Sequence, residues 1–163
     1  NQGAAVVLTS VGVARRLGIP PSQWAFLRSH ADLDDRTVSA RTMLDRSLAQ
    51  ELVLERVLDA ADVSIDDVAH LDLYSCFPIA VFSACDALGI DWRSPRALTL
   101  TGGLPYFGGP GNNYSMHAIC EAVARVRADR GALALVVANG GYLSKHSAGL
   151  YAGALHAPWQ ATD

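Results

Sequence analysis

The strongest constraint on the fold is the alternation of short apolar runs with segments of helical periodicity. The apolar runs indicate strands, and they lie at 4–10, 24–33, 70–76, 96–100, 131–141 and 147–155. Segments with apolar residues three or four apart indicate helices at 11–18, 47–61, 79–89 and 115–130. We predict an α/β layered fold in which five of these six segments form a five-stranded, mostly parallel mixed sheet with helices on both faces. A short antiparallel edge is expected where the last two strands follow one another.

Composition and charge narrow the class of protein. The 163 residues are 50% hydrophobic and 18% charged, which is typical of a single globular domain. A net charge of −3 argues against nucleic acid and anionic membrane surfaces as partners, and no apolar run approaches the roughly 20 residues of a membrane span. Cys76, Cys85 and Cys120 are odd in number, so we predict reduced thiols and a cytoplasmic protein. The chain begins without Met or a charged leader, and we expect residues 1–163 to be one domain of a longer chain.

The stretch LTLTGGLPYFGGPGNNYSMH, residues 98–117, carries two glycine clusters in one connection. It follows a predicted strand and precedes a predicted helix, where open α/β sheets bind ligands and where free N–H groups favour an anion or an oxyanion. The alternative is a tight connection in which the glycines merely permit close packing. Neither a Walker loop nor G-x-G-x-x-G before a short helix fits the spacing. We favour the interpretation as a ligand-binding loop.

A second polar group follows the strand in LDLYSCFPIAVF. Tyr74 and Ser75 come where this strand ends and a helix begins, so their side chains are expected in the crevice above the sheet. Tyr74 could donate a hydrogen bond to a developing oxyanion, and the alternative is a buried tyrosine satisfied by backbone. We interpret Cys76 as a core thiol rather than a nucleophile, because the sequence shows no activating neighbour.

A third polar group follows the strand in VVANGGYLSKH. Asn139 could orient a carbonyl or a water, and the alternative is that it caps its own turn. We expect Lys145 and His146, after the turn, to face solvent. On the helix after the glycine loop, His117 could face the crevice or be a structural histidine. The chain has no G-x-S-x-G elbow and no His, Asp or Glu grouped at ligand spacing, so we predict no metal site.

In this order the three stretches resemble the C-terminal half of a thiolase, in the branch of sterol-carrier-protein thiolases and acetyl-CoA acetyltransferases. VLERVLDAADVSIDDVAHLDLYSCF resembles the helix, turn and strand that lead to the family's N-E-A-F or H-D-C-F box. TGGLPYFGGPGNNY resembles G-G-x-x-x-x-G-H-P-x-G-x-S/T-G, and VVANGG resembles the strand that ends in C-x-G-G. The resemblance covers nearly the whole chain and implies half of an acyl-CoA acyltransferase unit, whose other half carries the acylated cysteine.

The sequence departs from this family at each catalytic position of the half. Tyr74 stands where the box has Asn or His, Gly109 where G-H-P has its histidine, and Ala138 where C-x-G has its cysteine. Glycine and alanine side chains cannot transfer protons, and loss of one acid–base group costs on the order of 10² to 10⁴ in rate. We therefore expect this chain alone to be inactive in ordinary thiolysis or Claisen condensation.

The resemblance implies that the chain forms one wall of a crevice for a CoA thioester, which is a substrate or ligand, with no bound cofactor. The candidate catalytic residues are Tyr74 and His117. The candidate substrate-binding residues are Gly103, Phe107, Gly108, Gly109, Asn112, Asn113, Tyr114, Ala138 and Asn139. The implied partners are an N-terminal thiolase half, an acyl-CoA of fatty acid or sterol degradation, and a second copy in a homodimer. The alternative is a non-catalytic CoA-ester-binding or dimerisation domain that pairs with another thiolase-like half.

Overall fold

The computed structural model describes residues 2–155, so Asn1 and residues 156–163 lie outside the part described below. The helices are α1 (Val11–Arg16), α2 (Leu48–Asp59), α3 (Pro78–Leu88) and α4 (Tyr114–Ala128). The strands are β1 (Phe26–Asp34), β2 (His70–Asp72), β3 (Leu133–Gly140) and β4 (Lys145–Ala152). Short 3-10 turns connect them at Pro21–Gln23, Val38–Ala40, Ile65–Asp67, Leu104–Tyr106 and Gly111–Asn113.

The four strands form one sheet in the order β1-β4-β3-β2. β2 and β3 are parallel, whereas β3 with β4 and β4 with β1 are antiparallel. The prediction of a mixed sheet is confirmed, and the last two strands pair antiparallel as expected, but they lie in the centre of the sheet rather than at its edge. The predicted number of five strands and the mostly parallel pairing are wrong. The cause is the short turn between Gly140 and Lys145, because a tight turn reverses the chain and a parallel pair needs a long crossover. Within residues 2–155 that crossover occurs once, between β2 and β3, and it contains α3 and α4.

Two predicted strands, at 4–10 and 96–100, are absent from the sheet of the described residues. Val7 and Leu8 of the first segment are 90% and 88% exposed, and neither contributes to the core. In the second, the Leu98 carbonyl accepts from the Leu73 N–H at 2.9 Å, but the N–H of Leu100 donates to a side chain instead of a strand. An apolar segment becomes a strand only where a neighbouring strand is available for backbone hydrogen bonding, and composition does not show this.

Helices cover both faces of the sheet, which confirms the prediction. On one face, α2 contributes Val57 to a core that also contains Leu135 and Leu150 of the sheet. On the other face, α4 packs Val126 against a cluster that contains Val136. Successive residues of β3 therefore point into opposite apolar layers, which explains the continuous apolar sequence of this strand.

Local sequence sets the ends of the helices that flank the glycine connection. Pro78 occupies the first position of α3. An N–H at this position has no partner within the helix, so proline costs no helical hydrogen bond there. Gly89 closes this helix in the left-handed conformation with φ 67°, at the predicted end. α4 begins at Tyr114, directly after the turn Gly111–Asn113, so the glycine connection runs straight into a helix as predicted.

Candidate functional site

The glycine connection passes close to the residues that follow β2. Gly103 has φ 96°, a conformation that favours glycine, and a Cβ placed there would lie 3.8 Å from Ser75 Oγ. The N–H of Leu104 donates to the same Ser75 Oγ at 2.8 Å. The predicted polar group after β2 and the predicted glycine loop are therefore in direct contact.

Four side chains behind this contact form one continuous network of hydrogen bonds. Asp72 Oδ2 accepts from the N–H of Leu100 at 2.8 Å, and from the N–H and the hydroxyl of Thr101 at 2.9 Å each. The Thr101 hydroxyl also makes a short hydrogen bond with the Tyr114 hydroxyl. Tyr114 OH in turn lies 3.2 Å from Ser75 Oγ. The network joins the end of β2, the glycine connection and the first residue of α4.

The carboxyl group at the inner end of this network is fully buried, and Tyr114 is buried as well. Burial raises the pKa of Asp72, although the hydrogen bonds from Thr101 and Leu100 oppose that rise. Its second oxygen, Oδ1, has no hydrogen-bond partner among residues 2–155. Burial also raises the pKa of Tyr114, so its phenol stays protonated at neutral pH.

Aromatic side chains and the predicted histidine surround the outer part of the network. The ring of Tyr74 meets that of Tyr114 edge-on, with centroids 5.4 Å apart. Phe107 lies edge-on to Tyr114 at 5.7 Å and to His117 at 5.0 Å. Asn113 Nδ2 lies 3.3 Å from His117 Nε2, so the side-chain amide of Asn113 can hold this ring. The predicted residues Tyr74, Phe107, Asn113, Tyr114 and His117 are thus brought together.

The third predicted stretch joins the same region through its asparagine. The Cys76 thiol donates to Asn139 Oδ1 at 3.5 Å, which connects the segment after β2 to the end of β3. Ala138 and Asn139 are both half-buried. Burial raises the pKa of the Tyr74 phenol, and the neighbouring Cys76 adds to the rise, so Tyr74 is a hydrogen-bond donor rather than an anion at neutral pH.

The remaining predicted residues lie on the exposed side of the glycine connection. Gly108, Gly109 and Asn112 are exposed. A Cβ at Gly108 would lie 2.5 Å from Gln2 Nε2, because the Gln2 side chain donates to the Phe107 carbonyl at 2.6 Å. A Cβ at Gly109 would meet no atom within 4 Å, so the position where the resembling family has histidine faces open space.

Sequence reasoning missed Asp72 and Thr101, which organise the interior of the site. A signal for Asp72 was present, because a charged residue between two leucines in an apolar strand is buried and needs hydrogen-bond partners. The sequence contains no comparable signal for Thr101, because its role depends on contact with Asp72, which is distant in sequence.

A groove of the described residues lies elsewhere, between α2 and α3. It has a volume of about 1270 Å³ and shares no residue with the network or the glycine connection. Its lining combines acidic residues, among them Glu55, Asp59 and Asp86, with apolar ones such as Leu54 and Leu58. We place the candidate site at the glycine connection, because the contacts among the predicted residues occur there.

Comparison with known proteins supports the fold. No family model matches the chain, and no curated protein matches it either. Among solved structures, a monomeric SCP2-thiolase-like protein type 1 from Mycobacterium smegmatis superimposes with a TM-score of 0.89 at 49% sequence identity. The match covers 93% of this chain. The chain has a thiolase-like fold.

The chain spans about a third of that thiolase-like protein, since the match covers 34% of its length. The prediction of a thiolase-like fold is confirmed over nearly all of this chain. The predicted roles of individual residues stay predictions, as do the homodimer and the location in the cytoplasm. Among residues 2–155, none of the helices combines the length and the apolar character that crossing a membrane requires.

Proposed function

We propose that the chain is the C-terminal half of a thiolase-like protein and forms one wall of a crevice for a CoA thioester. The observation that carries the proposal is the contact between Cys76 and Asn139, which brings together the ends of the two parallel strands β2 and β3. Open α/β sheets bind ligands outside the carboxyl ends of their parallel strands. The glycine connection reaches the same place through Ser75.

In this proposal, Tyr74 donates a hydrogen bond toward the thioester oxygen. Burial keeps this phenol protonated, as a donor must be. The amide of Asn113 holds His117 beside Phe107, so these side chains form a second polar and aromatic edge of the acyl pocket. Gly103, Gly108 and Asn112 shape the backbone of that edge.

Ordinary thiolysis is lost in this half, because Gly109 and Ala138 stand at the acid–base positions of the family that the sequence resembles. We therefore expect this chain to bind a CoA ester without carrying out thiolysis or Claisen condensation. An N-terminal half, on the same or another chain, supplies the opposite wall. Val7 and Leu8, both largely exposed, are available to pack against such a partner.

Binding can be tested by calorimetric titration of the full protein with acetyl-CoA and acetoacetyl-CoA. We expect saturable binding that weakens about tenfold in Tyr74→Phe and in Asn139→Ala, the cost of about one hydrogen bond. Tyr151→Phe is the matched control, because Tyr151 packs with the α4 face of the sheet, away from the crevice. If neither ester binds, the proposal is contradicted, and the dimerisation domain is the alternative that remains.

The loss of chemistry can be tested by restoring it. In the protein that carries both halves, the double substitution Gly109→His and Ala138→Cys should confer thiolysis of acetoacetyl-CoA by free CoA, followed as loss of the enolate absorbance. Each single substitution serves as a control, because both acid–base groups are needed together. Thiolysis by the unsubstituted protein at the rate of the double variant would show that these positions do not limit the chemistry.

A further inference from the structure

The hydrogen bonds that link Ser75 to Asp72 through Tyr114 and Thr101 can be donated in only one direction. A carboxylate only accepts, so the Thr101 hydroxyl proton is committed to Asp72 Oδ2 at 2.9 Å. Tyr114 must then donate its single hydroxyl proton to Thr101, and Ser75 must donate its own to Tyr114. The N–H of Leu104 donates to Ser75 Oγ. Every hydroxyl in the chain therefore points its proton inward.

We propose that Ser75, Tyr114 and Thr101 form a proton relay from the crevice to Asp72, with Ser75 as its outer, ligand-contacting end. Asp72 and Tyr114 are fully buried, whereas Ser75 is partly exposed beside Gly103. The relay supplies a proton acceptor at a site whose sequence lacks the family's histidine and cysteine. Its use on a CoA thioester rests on the proposed function.

The transfer is balanced at each atom. An acidic proton of a bound ligand passes to Ser75 Oγ, while the Ser75 proton moves to Tyr114, the Tyr114 proton to Thr101, and the Thr101 proton to Asp72 Oδ2. The net change is a deprotonated ligand and a neutral Asp72 carboxylic acid, and the reverse sequence restores both. For acetyl-CoA the acidic proton is one on the methyl carbon beside the thioester carbonyl, and the product is the enolate.

The surroundings of Asp72 suit a terminal acceptor. Neutralising the carboxylate relieves a buried charge whose Oδ1 has no partner in the described residues. Three hydrogen bonds to Oδ2 keep the ionised form accessible before the transfer. Tyr114 is the titratable side chain that faces Asp72 from α4, and Tyr74 lies beyond it. Asp72, Thr101 and Tyr114 act as relay residues, and of these four residues Ser75 is the one that contacts the ligand.

The relay predicts exchange of the methyl protons of acetyl-CoA for deuterium when the full protein is incubated in D₂O. Binding of acetyl-CoA is first measured by calorimetry, and exchange is then followed by proton NMR. Ser75→Ala, Tyr114→Phe and Thr101→Val should each lower the exchange rate by about 10² or more, measured at an acetyl-CoA concentration that saturates each variant. Thr101→Ser keeps the hydroxyl and should retain exchange, and Tyr151→Phe should equal the unsubstituted protein.

The pH profile separates a relay from a structural role. Exchange should rise with pH as Asp72 ionises, and Asp72→Asn should lose this rise. If Asp72→Asn does not fold, the Thr101→Val and Thr101→Ser pair decides the same question. Exchange that equals the buffer rate despite binding, or that survives Tyr114→Phe or Ser75→Ala, would overturn the relay.

A ligand-free measurement keeps the two proposals distinguishable. In carbon NMR, the Asp72 carboxyl and the Tyr114 phenol carbons should titrate with a common midpoint, because one hydrogen bond through Thr101 links them. Thr101→Val should uncouple the two signals, and independent titration in the unsubstituted protein would overturn the relay. If acetyl-CoA does not bind, the proposed function fails while this measurement still decides the relay.

Discussion

The hydroxyl of Ser47 lies 2.9 Å from His146 Nε2 and donates to Asp35 Oδ2 at 2.7 Å. Because the single hydroxyl proton of Ser47 is used on Asp35, His146 must donate its Nε2 proton to Ser47 and to the Leu143 carbonyl at 3.1 Å. The other ring nitrogen, Nδ1, is buried and has no partner among residues 2–155. This contact ties the start of α2 to β4, and the buried Nδ1 without a partner favours a neutral imidazole.

Acidification should therefore destabilise the protein through His146. Burial lowers the pKa of His146, and the positive charge of Arg41 lowers it further. The hydrogen bond to the Leu143 carbonyl and the charge of Asp35 oppose this decrease. The unfolded chain, with a histidine pKa of about 6.5, binds the proton first, so stability falls as pH drops from that value toward the folded pKa. Urea unfolding between about pH 7.5 and about pH 5.5 should show this loss.

The matched variants are His146→Gln and His30→Gln. His30 lies on the edge strand with its side chain 52% exposed. His146→Gln should flatten the pH dependence of the unfolding free energy, and His30→Gln measures how the loss of an exposed histidine affects the same slope. An unchanged slope in His146→Gln would contradict the assignment.

Leu135, in the centre of β3, should be a main contributor to stability. It is 0% exposed and belongs to the core between the sheet and α2 and α3. Leu135→Ala should lower the free energy of unfolding by about 2–5 kcal/mol, through lost burial and a residual cavity. Leu48→Ala, at a position 55% exposed, should cost no more than about 0.5 kcal/mol in the same urea titration. Equal losses would contradict the placement of the core.

Gly153, just after β4, is held against the end of α4. A Cβ there would lie 2.2 Å from the Val126 carbonyl oxygen and 2.8 Å from the Arg130 Cα, so backbone would have to shift. Gly153→Ala should lower stability by about 1–3 kcal/mol, measured by thermal unfolding. Gly131→Ala is the control, because its nearest atom, Asp129 Oδ1, would lie at an ordinary 3.5 Å. A neutral Gly153→Ala would show that α4 and β4 can separate at no cost.

The sequence pattern predicted the strand β3 correctly, and it failed for segments whose structure depends on a neighbouring strand. The continuous apolar run of β3 was predicted as a strand, and both its faces are covered. The run at 4–10 has a similar composition, yet Val7 and Leu8 are exposed because no strand of the described sheet pairs with them. An apolar pattern shows that a segment is able to form a buried strand. Whether it does so depends on a neighbouring strand with which it can pair.

The same distinction applies to polar residues. Lys145 and His146 follow one turn, and both were predicted to face solvent. Lys145 is exposed, but His146 is 3% exposed because alternation along β4 turns it toward Ser47. Asp72 likewise depends on Thr101, which is distant in sequence, so motif spacing could identify the glycine connection but not the network behind it.

Gly109 offers a final test of how much the glycine connection tolerates. It has φ 76°, and a Cβ there would meet no atom within 4 Å, so the cost of a side chain should come from backbone strain alone. Gly109→Ala and Gly109→His should therefore lower stability by the same amount, about 1–2 kcal/mol. Gly18→Ala, with φ 69° and equally open surroundings, is the matched control and should cost the same. Thermal unfolding measures all three, and a much larger loss in Gly109→His than in Gly109→Ala would show that this position does not face open space.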